Sequence, residues 1–470
     1  MQYQIILKNT IYRRVNLIRL RNFRLNKKMN KIIYLIIFFF ILNNCSFDNK
    51  TGIWTGSDKI AKKKNNTDQN LEYVFKKQNS ILKEVDLSPN RNLNFDEPNL
   101  YLTWNQSFQN QANNASNVSF LNDGNYKKFS KISKATVNKN ILVQDDKLFF
   151  SDYKGNIGIF SLSQNKIIYN FNFYKKKFKR TKKDIKLIIK NDYIIAADNF
   201  GYVYSIDFKK NKLRWAKNFL VPFRSNLKIV ENILFLSDEK NQIILINIEN
   251  GKKIEEIYTQ PSKTVSNFES NLAIDKNNNL LFLSTDGSLY SLNLINKKVI
   301  NWIQNFKPEN DIVFDGNPIV ISDDKILIST KNNIFLLNLN GTIIWNKKIN
   351  STVAPIISGD TIFTIDNNNY LVLINKVSGE ILFSQDINLI FIRDFKKNFK
   401  KKIKKINHIY FINKKLLLIS DNSYFIEIEI KDTLNVSSIK KNPFSIESNI
   451  IFIKNEMIFA GSSKRVFKVN

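Results

Sequence analysis

One cysteine, Cys45, and one histidine, His408, are all that this chain of 470 residues offers of the two most versatile catalytic and metal-binding side chains. A lone histidine builds neither a Ser-His-Asp triad nor a histidine metal centre. His408 also adjoins an apolar stretch, Ile409-Tyr410-Phe411-Ile412, that reads as a strand. A lone thiol cannot close a disulfide within the chain, which leaves covalent modification as the chemistry open to Cys45. Asp275-Lys276-Asn277-Asn278-Asn279, with Asp286 at the twelfth position, opens like a calcium loop. Leu280 stands where that loop needs glycine, and residues 280–284 read as a strand, so a hairpin turn is expected. The 13 glycines form no phosphate-binding loop. No catalytic, metal or cofactor-binding set is expected, and nothing in the sequence requires an enzyme.

The surroundings of Cys45 say what its modification would be. Lys27, Lys28 and Lys31 precede an apolar run, Ile32 to Leu42, which stops at Asn43-Asn44-Cys45. Residues 1–44 therefore read as a secretory signal peptide whose true start is Met29. The position of Cys45 resembles the lipobox of bacterial lipoproteins, with Leu42 fitting the place three before it and Asn43 and Asn44 standing where small residues are usual. That resemblance implies an acylated Cys45 as the mature N-terminus. Two or three acyl chains, each buried CH₂ adding about 0.8 kcal/mol, would anchor it stably. Residues 45–98, polar and centred on Lys62-Lys63-Lys64-Asn65-Asn66, read as a tether without hydrophobic period. No 20-residue apolar run is present to span a membrane.

The formal charge is +31, of which nine positive charges lie in residues 1–44, leaving +22 beyond them. Two clusters hold much of it. One is Lys175, Lys176, Lys177, Lys179, Arg180, Lys182 and Lys183; the other is Lys396, Lys397, Lys400, Lys401, Lys402, Lys404 and Lys405, with Phe178, Phe395 and Phe399 interleaved. Such loops suit a solvated surface or an acidic protein or lipid partner. An exported chain rarely meets nucleic acid, and none is expected as a partner.

The elements that carry these residues come from a pattern that returns eight times: two hydrophobic positions around variable ones, then a small polar residue. It starts at Ile157, Val203, Ile243, Leu289, Ile334, Leu371, Phe425 and Val466, at intervals of 46, 40, 46, 45, 37, 54 and 41 residues. Ahead of each lies an apolar run and an Asp- or Asn-rich turn, such as Thr285-Asp286-Gly287; behind it lies a second turn, such as Asn250-Gly251-Lys252. Bulky residues then follow at Tyr169, Trp215, Ile254, Trp302, Trp345 and Phe383 and read as structural blade anchors. Short strands at this period indicate an all-β, eight-bladed β-propeller over residues 99–470. The chain stops after the eighth pattern, so a strand at Asn99–Trp104, with Trp104 as its anchor, is expected to complete the last blade. Closing the ring this way leaves no open sheet edge.

The repeat of apolar strand, Asp/Asn-Gly turn, Tyr-x-Leu-Asn strand, Gly-Lys turn and Trp, clearest at residues 191–215, 280–302 and 326–345, resembles the pyrroloquinoline-quinone-type propeller repeat. With the lipobox, tether and closing strand, it is similar to the BamB family of the outer-membrane barrel-assembly machinery. Asn241, Asn333 and Ser423 replace the family's turn glycine, and the seventh blade lacks an anchor. The resemblance implies a non-catalytic lipoprotein without cofactor on the periplasmic face of the outer membrane. It would dock on the POTRA domains of BamA beside the other assembly-machinery subunits and assist unfolded outer-membrane proteins. Which residues bind a partner is unknown at this level. Two other readings stand beside it: a periplasmic quinoprotein dehydrogenase, whose vicinal disulfide this one-cysteine chain cannot make, and an envelope lipoprotein binding glycan or anionic lipid through its basic loops.

Overall fold

Eight four-stranded antiparallel sheets follow one another along the chain and form the blades of a propeller. This computed structural model describes residues 82–470 except 89–90, 175–177, 179, 262–266, 296–298, 309–312, 395–402 and 432, together with a two-strand pairing of Ser46–Phe47 with Trp54–Thr55. The chain divides into two units, Met1–Asn79 and Ser80–Asn470, and the propeller lies in the second. Cys45 and the basic core of the tether lie outside the described residues, as do Lys175, Lys176, Lys177, Lys179, Lys396, Lys397 and Lys400 to Lys402.

Each blade is a meander counted outward from the central channel. The inner strands are Leu142–Gln144, Ile185–Lys190, Lys228–Val230, Asn271–Ile274, Val320–Ser322, Ile356–Ser358, Ile406–Ile412 and Ile451–Ile453, in blades 1 to 8. The eight recurring patterns are the third strands, from Asn156–Ser161 to Arg465–Val469. Second and third strands carry β-branched and aliphatic residues on both faces, because each sheet is buried between two neighbours. The longest interval is explained by a helix, Ile387–Asp394, between blades 6 and 7. It turns Ile387, Ile390 and Phe391 into the core of blade 7.

Asp residues make the tight turns. Asp152, Asp198, Asp238, Asp275 and Asp366 each accept, on Oδ1, the backbone N–H groups two and four residues ahead, at 2.8 to 3.0 Å. The Asp275 segment is thus one more hairpin turn, joining the first two strands of blade 4. Of the three residues that replace the turn glycine, Asn241 (φ +65°) and Ser423 (φ +62°) take the left-handed conformation that Gly201 takes at +82°, and Asn333 does not.

An N-terminal strand closes the ring, but it is Tyr126–Lys131 and not Asn99–Trp104. Tyr126 pairs with Val469, Lys127 with Lys468 and Lys128 with Phe467. An outermost strand has a free edge, and lysines at 127, 128 and 131 protect it while Phe129 is buried beneath. Asn99–Trp104 carries no charge. It runs across the propeller to the channel, where Trp104 pairs with Val143 of the innermost strand of blade 1.

Candidate functional site

The bulky outer-strand residues hold blade to blade. Trp215, Trp302 and Trp345 donate Nε1–H to the carbonyls of Ile248, Leu339 and Lys376 at 2.9, 3.0 and 3.0 Å, each in the next blade. Their rings lie on Gly251, Gly341 and Gly379, where an added Cβ would come within 2.5, 2.5 and 2.8 Å of indole carbon. A β-bulge in each outer pairing sets the anchor opposite the third strand: Tyr169 faces Ile159, Trp302 faces Ser291 and Phe383 faces Leu373. Phe383 is buried. In blade 3 the anchor place falls to Glu255, opposite Leu245, while Ile254 sits in the bulge and is 44% exposed. Ser438 takes that place in blade 7. Trp104 is not a blade anchor at all; it is 4% exposed beside the channel.

The channel is lined where the inner strands begin, and there asparagines join neighbouring blades. The side-chain Oδ1 of Asn140, Asn226, Asn271 and Asn449 accepts the N–H of Leu187, Leu272, Ile319 and Ile141 at 2.8, 2.7, 3.0 and 2.9 Å. Asn226 and Asn449 return a bond from Nδ2 to the carbonyl of the same residue. At the equivalent place in blade 2, Lys186 bridges Glu269 (2.8 Å) and Asp184 (3.6 Å). Both carboxylates hold its ammonium, so its pKa is raised against the opposing pull of burial. In blade 7 the place falls to His408, whose pKa burial and Lys139 lower.

The other end of the channel is closed by the chain itself. From Trp104 to Leu121 the chain circles the mouth, meeting the inner strands of blades 1 to 7 in turn and then the turn that follows the inner strand of blade 8. Trp104 exchanges two bonds with Val143, the Asn105 carbonyl accepts from Ile189, and Gln111 reaches Ile229 with its side chain and Ile274 with its carbonyl. The Ala112 carbonyl accepts from Ile321, Asn114 donates to Ile357, Val118 donates to Phe411 and Leu121 to Asn455. Inner strands carry unpaired polar groups on their channel edge, and this segment pairs part of them. Phe108, Gln109 and Asn113 take positive φ of 61°, 74° and 56° to make the tight circle. Lys228, fully buried on the inner strand of blade 3, donates to the Asn110 carbonyl at 2.7 Å, with Gln106 Oε1 at 3.5 Å. Desolvation lowers its pKa well below the ordinary value.

Between this segment and the asparagine ring lie two cavities. One, of about 590 Å³, meets Lys139, Lys186 and Glu269; the other, of about 270 Å³, meets Trp104, Asn113 and Tyr410. Phe108, Asn407, His408 and Asn449 line both. Pyrroloquinoline quinone is a tricarboxylate, and the smaller cavity has no cationic side chain in its lining, while in the larger one Lys186 is already committed to two carboxylates and Lys139 alone would face three more, beside Glu269 and Glu447. The residues present do not fit that group.

Sequence reasoning sets His408 beside a strand but not at the channel, and reads residues 105–137 as a loop-like stretch lying across the propeller face without foreseeing that it circles the channel mouth. Of the first basic cluster, Lys183 is 1% exposed and donates to the Phe178 carbonyl, so it is not a free surface charge. Lys404 and Lys405 of the second are exposed. The connections that follow the outer strands of blades 2 and 3 carry large exposed apolar residues: Leu220, 83% exposed at φ +67°, and Tyr258, 70% exposed.

Residues 174–385 match the family model described as outer membrane protein assembly factor BamB. BamB from Moraxella catarrhalis superposes with a TM-score of 0.56 at 13% identity, over 72% of this chain and 98% of that one. The computationally designed Ika8 protein superposes at 0.53 and 9% identity, over 73% and 98%. In sequence, uncharacterized proteins of Rickettsia prowazekii and Rickettsia conorii are 22% and 23% identical over 320 and 321 residues. These cover 66% and 65% of this chain and 74% and 73% of theirs. In repeat and in fold the chain is BamB-like.

Proposed function

We propose, from a BamB-like repeat carried on an eight-bladed propeller, that this chain is a non-catalytic scaffold of outer-membrane protein assembly. It is exported, acylated at Cys45, retained at the periplasmic face of the outer membrane, and docks on the POTRA domains of BamA to assist unfolded outer-membrane proteins. The observation that carries the docking is the pair Leu220 and Tyr258. Both stand on the connections from an outer strand to the next inner strand, hence on one face, in consecutive blades. Leu220 is held outward in a backbone conformation that a leucine seldom takes. A large apolar side chain held in water at that conformational cost fits a partner-binding role. Arg224, four residues on, lies in the same connection.

A mild-detergent pull-down from native membranes, tagged at Asn470, tests this reading. BamA is expected to co-purify at near-stoichiometric yield and to be lost from Leu220→Asp, whose melting temperature should match the parent. Recovery of a quinone or a dehydrogenase partner in place of BamA would end the scaffold assignment and leave the propeller alone.

A further inference from the structure

Two residues that line the smaller cavity carry polar atoms that no part of the described chain satisfies. Trp104 Nε1–H and Asn113 Oδ1 are buried without a hydrogen-bond partner, in residues 4% and 7% exposed, and both residues line this cavity. Asn113 cannot gain by turning its amide round. Its Nδ2 already faces Asn271 Oδ1, the Leu272 carbonyl and the Ile319 carbonyl at 3.0, 3.0 and 3.1 Å, which fixes Oδ1 as the orphan. A buried donor or acceptor left unpaired is costly, so a site keeping one of each is built around something that pairs them.

The lining says what that something is. No Asp, Glu, Lys or Arg borders the cavity, so an ionic ligand would lose its hydration without gaining a counter-charge. Trp104, Phe108, His408 and Tyr410 supply rings, and the amides of Asn113 and Asn407 supply hydrogen-bonding groups. Apolar walls with a few convergent polar groups are the make-up of small-molecule sites, and about 270 Å³ is near the lower end of their range. Asn407 is exposed and borders the larger cavity as well, which gives a way in.

We propose that the cavity beneath the circling segment binds a small, uncharged, hydroxylated ring, such as a single neutral sugar unit. Sugar hydroxyl or acetamide groups would accept from Trp104 Nε1–H and donate to Asn113 Oδ1, while the ring's C–H faces lie against the aromatic side chains. The site is formed by residues 104–115 together with the starts of the inner strands of blades 6, 7 and 8, so it belongs to this chain's own closure of the channel.

Calorimetric titration of the parent and its variants, with the indole N–H resonances followed in the parent, tests the idea, with glucose, N-acetylglucosamine and glucuronate as probes. One indole signal, absent from Trp104→Phe, should shift with at least one neutral sugar, and glucuronate should bind at least tenfold more weakly. Trp104→Phe keeps an aromatic face, though a smaller one, and removes the donor; about a five- to tenfold loss of affinity is expected with the propeller still folded. His408→Phe, which leaves Trp104 in place, should also weaken binding. No binding of either neutral sugar, an affinity that both variants retain, or equal binding of glucuronate would overturn the proposal and leave the cavity to ordered water.

Discussion

The indole of Trp302, in the outer strand of blade 4, lies flat against Gly341 in the last turn of blade 5 while donating its N–H to the Leu339 carbonyl at 3.0 Å. Gly341 has φ +82°, so a side chain there is opposed twice, by the backbone and by the ring. Gly341→Ala is expected to lower stability by about 1–3 kcal/mol through strain and a broken blade contact. A urea-unfolding midpoint that does not move would show the contact to be idle. Trp302→Phe, which loses the hydrogen bond and part of the indole's packing on Gly341, should cost about 1–3 kcal/mol.

Asn226 makes the same argument at the channel. Its amide both accepts from and donates to Leu272 of the next blade, at 2.7 and 2.9 Å, with the residue 7% exposed. Asn226→Ala strands the buried Leu272 N–H and leaves the Leu272 carbonyl to Asn113 Nδ2 alone, and a loss of about 1–3 kcal/mol is expected. Asn226→Asp retains the acceptor alone and should fall between the two. Thermal melts of the three proteins rank them.

These two contacts also mark what the sequence makes legible. Trp215, Trp302 and Trp345 each stand 34 to 39 residues ahead of a turn glycine, Gly251, Gly341 and Gly379, a spacing written in the order of the residues alone. Eight blades follow from the third-strand pattern because that strand is buried on both faces and must be hydrophobic throughout. Asn226 and its equivalents carry no comparable signal in a chain so rich in asparagine. The circling segment is hidden for another reason. Trp104 to Leu121 makes single contacts with one strand after another, so it has neither the period of a helix nor that of a strand. The closing strand is easily misplaced because Trp104 has the residue type of an anchor, whereas the edge needs the lysines of Tyr126–Lys131.

Cys45→Ser separates the anchor from the export signal. If acylation of Cys45 holds the protein to the membrane, the variant should still be exported but appear in the soluble periplasmic fraction, with its propeller folded. Membrane fractionation with a melting curve on the released protein reads both. Retention of the variant in the membrane fraction would shift the anchoring to the N-terminal apolar run, Ile32 to Leu42.

Lys228 gives a pH signature that only a buried, acid-free lysine can give. Its ammonium faces the Asn110 carbonyl with no carboxylate to balance it, and burial sets the folded pKa well below 10.5. Below that folded value the lysine is charged in both the folded and the unfolded chain, and folding carries the whole desolvation cost. As pH rises from the folded pKa towards 10.5, the folded protein gives up its proton while the unfolded chain keeps one. Stability therefore rises through that window and levels off above it. Lys228→Met cannot titrate, so the difference between the two proteins' unfolding free energies, measured in urea from neutral to alkaline pH, should shift steadily in favour of the parent. Other lysines and tyrosines cancel in that difference. Parallel curves would mean that Lys228 keeps its charge and that the circling segment, through Gln106 and the Asn110 carbonyl, solvates an ammonium as well as water does.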